Sequence, residues 1–79
     1  MIVEVISAYN PSNDYVRKLN LYEKFEVKEY WIINPMKKNI LVYVLTEHGY
    51  DAPTAYTFND TVKVNIYDNL EIDFKSIDI

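Results

Sequence analysis

Apolar and polar positions along the 79-residue chain change period several times, and each change marks an element. Met1 to Ala8, MIVEVISA, is apolar except at Glu4 and Ser7. Its β-branched richness and short length predict a strand buried on both faces. In YNPSND, Asn10-Pro11 marks a turn and Ser12 or Asn13 can cap a helix, with Asp14 in the first turn where a negative charge suits the helix dipole. From about Asn13 to Glu26 the period is helical: Tyr15, Lys18, Leu19, Leu21, Tyr22 and Phe25 fall on one side, and Arg17, Asn20, Glu23 and Lys24 on the other. VKEYWIIN, closed by Pro35, predicts a second strand with Trp31 and Ile33 on one face and Tyr30 and Ile32 on the other.

A strand, a helix and a strand in so few residues make a βαβ unit with parallel strands and a right-handed crossover. PMKKN is a polar turn, and ILVYVLTE a third strand, hairpin partner of the second. HGYDAP carries the only glycine, Gly49, and reads as the next turn. TAYTF, TVKVNI and LEIDF are short alternating segments separated by ND and YDN, while the tail KSIDI fits no single element. The expected fold class is α/β with a mixed sheet, a β-α-β core followed by an antiparallel β-hairpin extension. No linker or repeat divides residues 1–79, which read as a single domain.

Composition narrows the function classes. A chain of this length buries only about 60% of the surface its unfolded form exposes. Its 49% hydrophobic content, with eight tyrosines, three phenylalanines and one tryptophan, nevertheless argues against disorder. There is no cysteine, hence no disulfide framework and no thiolate metal site, which fits a reducing, cytoplasmic setting. No apolar run approaches the roughly 18 residues that span a bilayer, and the start lacks the pattern of a signal peptide, so no membrane role is expected. Twelve acids against eight bases give a net charge of −4. That balance repels nucleic acid on average, so any role there needs a local site or a partner chain.

Two charged residues break the binary pattern. Glu4 sits mid-strand with Ile2 and Ile6 on its face, and a buried carboxylate needs a partner. Lys18 falls near the centre of the helix's apolar stripe, between Phe25 and Tyr22 on the wheel. The helix packs back over the sheet, so the two can converge. They would form a buried structural ion pair, leave the lysine snorkelling past Tyr22, or make a site where a carboxylate holds Mg²⁺ and an ammonium orients water or offsets phosphate charge.

VEVIS (Val3 to Ser7), followed after a loop by DYVRKLNLYEKFEVKEYWIINP (Asp14 to Pro35), resembles the Uma family of restriction-endonuclease-like proteins, within the PD-(D/E)xK nuclease superfamily. The family pattern has a VEVLS-like strand, a spaced Asp, Lys, Leu and Tyr on a helix, and then GVxEYWIVDP. LEIDF with its KSI tail is similar to the family's ending, so the resemblance covers nearly the whole chain. It implies a restriction-endonuclease-like core and phosphodiester hydrolysis of DNA. By position it implies that Glu4 is the acidic metal ligand and a catalytic residue. The superfamily's lysine two residues later is absent, since Ile6 stands there; the resemblance makes Lys18 the matching catalytic lysine. Asp14 and Tyr22 match family positions to which the resemblance attaches no chemistry, and in this sequence they read as a helix cap and a packing residue; Asn34 replaces the usual Asp before Pro35, where either side chain serves as a turn acceptor.

The resemblance also implies upstream strands, one bearing a metal-binding Asp in a Pro-Asp context, with a second Pro-Asp directly before the strand that begins at Met1. Neither stands in this sequence. Asp51, Asp60, Asp68, Glu71, Asp73 and Asp78 lie in the hairpin region or the tail and do not substitute. The expectation is a C-terminal portion of a nuclease-like domain, truncated at its N-terminus and inactive by itself, with Mg²⁺ bound only where a complete site is assembled, because one carboxylate holds that ion poorly. The alternative is a non-catalytic module that keeps the scaffold and pairs, as a homo-oligomer, through an exposed sheet edge. His48 reads as a turn residue, Ser7 lacks a nucleophile-elbow context, and Gly49 alone makes no phosphate loop.

Overall fold

The computed structural model describes residues 1–6 and 14–76, with the side chains of residues 14–16 left aside. Its elements are β1 (Ile2–Val5), α1 (Asp14–Lys24), β2 (Glu29–Asn34), β3 (Asn39–Thr46), β4 (Gly49–Tyr50), β5 (Thr54–Thr57), β6 (Thr61–Lys63), β7 (Glu71–Asp73) and a short 3-10 helix, Phe74–Ser76. The expected turn and cap at Asn10 to Asn13, and Ser7, lie outside the described residues.

β1 pairs with β2 in parallel, with Glu4 opposite Ile32, and β2 pairs with β3 antiparallel, with Ile32 opposite Leu41. β5 and β4 both add antiparallel to the far edge of β3, β5 along Asn39 to Val42 and β4 along Leu45 and Thr46. β6 and β7 form a separate two-stranded antiparallel hairpin. This is the mixed α/β architecture expected, with Gly49 and Tyr50 extending the sheet where the sequence suggested only a turn. Gly49 needs to be glycine because its φ is +103°.

β2 explains the arrangement. Residues 29–33 are all buried, and alternation sends them to two cores. Tyr30 and Ile32, with Ile6 and Tyr43, form the core under α1, which adds Leu19 and Tyr22. Trp31 and Ile33, with Ile40 and Val42, form the other core, covered by Val62, Val64 and Phe74 from the hairpin and the 3-10 helix. The face assignment read from YWIIN therefore holds.

β1 differs from the expectation of burial on both faces. Ile2 and Glu4 are half-buried, but Val3 and Val5 are exposed at 45% and 52%. Val3 and Val5 point to the face covered by the β6–β7 hairpin, whose buried residues pack on β2 and β3 instead. Leu21 and Phe25 also leave the expected apolar stripe, 49% and 70% exposed. For Phe25 the reason is that α1 ends at Lys24: the Glu26 N–H donates to the Glu23 carbonyl and the Val27 N–H to the Tyr22 carbonyl, with Glu26 left-handed at φ 58°. This Schellman closure turns the chain into β2 before Phe25 can reach the sheet.

Candidate functional site

β1 presents Glu4 on the helix side of the sheet because alternation places it between Ile2 and Ile6, both in that core. α1 presents Lys18 and Tyr22 four residues apart, one turn, so both side chains reach the same point. Lys18 Nζ donates to Glu4 Oε2 at 3.1 Å, and the Tyr22 hydroxyl donates to Glu4 Oε1 at 2.9 Å. The pair is not buried: the Lys18 and Glu4 side chains are 31% and 23% exposed, since β1 is at the sheet margin and water reaches both. Tyr22 is fixed in turn by an edge-on contact with Tyr30, ring centroids 4.9 Å apart. Ile6, two residues after Glu4, is packed in the core and only 8% exposed. The ammonium beside Glu4 comes from the helix.

The structure therefore brings Glu4 and Lys18 together, as the pattern anomalies suggested, and adds Tyr22, for which packing alone was expected. Asp14 opens α1, but its side chain is not described. His48 is exposed in the β3–β4 turn, its N–H donating to Thr46 Oγ1. Asp60 and Asp73 are engaged in their own turns, with Thr57 and with Lys75 and Ser76. Asp78 lies outside the described residues.

The described residues do not by themselves fit Mg²⁺. Glu4 is a single carboxylate whose two oxygens already accept from Lys18 and Tyr22. Among the described residues no group of three or more His, Asp or Glu side chains is placed to hold an ion.

One buried acid escaped the sequence reading. Glu29 is fully buried and accepts from Trp31 Nε1 at 2.6 Å, the Asn65 and Ile66 backbone N–H groups at 3.1 and 2.9 Å, and Asn65 Nδ2 at 3.2 Å. It ties β2 to the loop that follows β6. The available signal was an acid two positions before a tryptophan at the head of an apolar strand.

A family model described as "Uma2: Putative restriction endonuclease" matches residues 1–75, nearly the whole chain. The chain belongs to the Uma2 family. A search of curated proteins found no match. In this Uma2 chain Glu4 and Lys18, the two residues that the sequence singled out, are in contact, and Tyr22 joins them. No helix among the described residues is long and apolar enough to cross a membrane.

Proposed function

We propose that this Uma2 chain is a nuclease-like domain of the PD-(D/E)xK type, with Glu4 and Lys18 as part of a site for phosphodiester hydrolysis of DNA. The observation that carries the reading is the Lys18–Glu4 contact of 3.1 Å between helix and strand, at a place that solvent and substrate can reach. Lys18 supplies a positive charge that orients water or offsets charge on a phosphate, and Tyr22 holds the Glu4 carboxylate in place. The site is incomplete as described and the chain is inactive by itself. Mg²⁺ enters only where carboxylates beyond the described residues join Glu4.

A melt and a titration test this together. A fully buried pair would cost roughly 3–5 kcal/mol on removal of one partner, whereas a water-accessible one contributes about 1 kcal/mol or less. Lys18→Met is therefore expected to unfold within about 1 kcal/mol of the parent, and Mg²⁺ and Mn²⁺ are expected to bind no tighter than about millimolar by calorimetry. A loss of several kcal/mol would make the pair structural and remove the catalytic reading. Tighter binding that vanishes in Glu4→Gln would overturn the incompleteness instead.

A second reading has its own observation. Among the described residues β1 pairs only with β2, and its exposed Val3 and Val5 stand beside that open edge. A second copy of the chain pairing there would make the scaffold a homodimeric interaction module.

A further inference from the structure

Nucleic acid has no obvious purchase on a chain of net charge −4 whose basic residues never run longer than two. The fold alters this by carrying two basic pairs to one end of the sheet. β1 and β2 are parallel, so their last residues, Val5 and Asn34, lie at the same end. The β2–β3 turn begins there and holds Lys37 and Lys38, both exposed. Its backbone is pinned: Asn34 Oδ1 accepts from the Met36 and Lys37 N–H groups at 3.1 and 3.2 Å, and Lys38 is left-handed at φ 53°.

The helix supplies the other pair. Its C-terminal closure, Val27 N–H to Tyr22 carbonyl, sits beside the start of β2, so its first turns lie toward the strands' far end. Lys18 meets Glu4, whose register partner Ile32 is two positions from Asn34. Arg17 is exposed beside it, and the two line a groove of about 440 Å³ with Leu21 and Tyr22. Among the described residues no ion pair engages Arg17, Lys37 or Lys38.

Acids outnumber Lys24 and Lys28 at the opposite end. Glu23 and Glu26 are at the close of α1, Glu29 opens β2, Glu47 follows β3, and Asp51 N–H bonds back to Val44 near the end of β3. Asp60, after β5, and Asp73, its neighbour at the end of β7, stand toward the basic end and keep their charge, but their carboxylates are held in their own turns by the Thr57 and Lys75 backbone N–H groups and the Ser76 hydroxyl.

We infer that Arg17, Lys37 and Lys38 form a basic rim that takes the phosphate backbone of a DNA duplex across the C-terminal ends of β1 and β2. This rests on the nuclease reading above and deepens it: a duplex on the rim lies next to the Glu4–Lys18 pair. A phosphate backbone is the partner argued for because the exposed cations come in two pairs at one end of the sheet, as point charges on long stems.

The test is anisotropy of a short labelled DNA duplex titrated with the parent chain, the Lys37→Gln/Lys38→Gln double variant, Arg17→Gln, and Lys24→Gln at the far end of α1, over a series of KCl concentrations. Each phosphate contact contributes about 0.9 to the slope of log K against log salt, so the double variant is expected to flatten it by about 2 and Arg17→Gln by about 1. Lys24→Gln is expected to leave it unchanged. The rim is overturned if the double variant binds like the parent, if Lys24→Gln loses as much as Arg17→Gln, or if the parent does not bind at the lowest salt. Polyglutamate competing as well as unlabelled duplex would assign the surface to acidic proteins and overturn it too. None of these variants touches Glu4 or Lys18, so the rim and the hydrolytic pair can fail separately.

Discussion

Four N–H donors converge on the Glu29 carboxyl, two from the backbone of a loop 36 and 37 residues further along the chain. An amide in its place has one accepting oxygen and turns an NH₂ toward donors. A buried donor left unsatisfied costs about 1–3 kcal/mol. Glu29→Gln is therefore expected to lower unfolding free energy by about 2–3 kcal/mol in urea, more than Lys18→Met, although Glu29 takes part in no ion pair among the described residues. A change below about 0.5 kcal/mol would mean that the donors find other partners. The contrast explains what was legible at this scale. Glu4 and Glu29 are the same anomaly, an acid in an apolar strand. Glu4 was caught because its partner, Lys18, is itself misplaced on the helical wheel. Half of the donors to Glu29 are backbone groups, which no pattern of side chains displays, and all four come from residues that carry no charge.

Elements were legible where one residue pattern decided them and blurred where closure did. The strand at Glu29–Asn34, buried through Ile33, and the hairpin with β3 follow from periodicity and the Asn34-Pro35 turn, and the structure bears them out. The extent of the apolar helix face did not follow, because the early Schellman closure at Glu26 is set by backbone geometry that no glycine announces. Tyr50 then reinforces that closure from the sheet side, its hydroxyl donating to the Val27 carbonyl. Burial first, then the charges of Glu23 and Tyr22, hold its phenol above the usual value of 10. The folded state therefore favours neutral Tyr50. The stability it contributes is complete below about pH 10 and is lost as pH rises through the raised folded value. Tyr50→Phe is expected to melt below the parent at about pH 8 by the loss of one hydrogen bond, about 1 kcal/mol, with the gap narrowing as the pH rises above 10 and through the raised folded value. Parallel melting curves across that range would remove Tyr50 as the alkaline-sensitive link between β4 and the helix turn.

At the scale of the whole molecule the sheet is covered unequally, and the edge is where that matters. β2 and β3 have a core on each face, while β1 has α1 on one face and exposed Val3 and Val5 on the other. Its second edge has no partner among the described residues. A row of unpaired N–H and C=O groups flanked by two valines favours strand addition, and antiparallel addition of an identical β1 across a two-fold axis would pair the backbone groups and place Val3 and Val5 of the two copies side by side. Val5→Lys puts a charge on that face, and since the side chain is already half exposed the fold should tolerate it. Sedimentation equilibrium is expected to give a mass that rises toward twice the 9.4 kDa of one chain with concentration for the parent, and the single-chain mass for Val5→Lys. A parent that stays at the single-chain mass at every concentration would rule out pairing by a second copy. The Glu4–Lys18 site and the basic rim would then remain as the proposed functional surfaces.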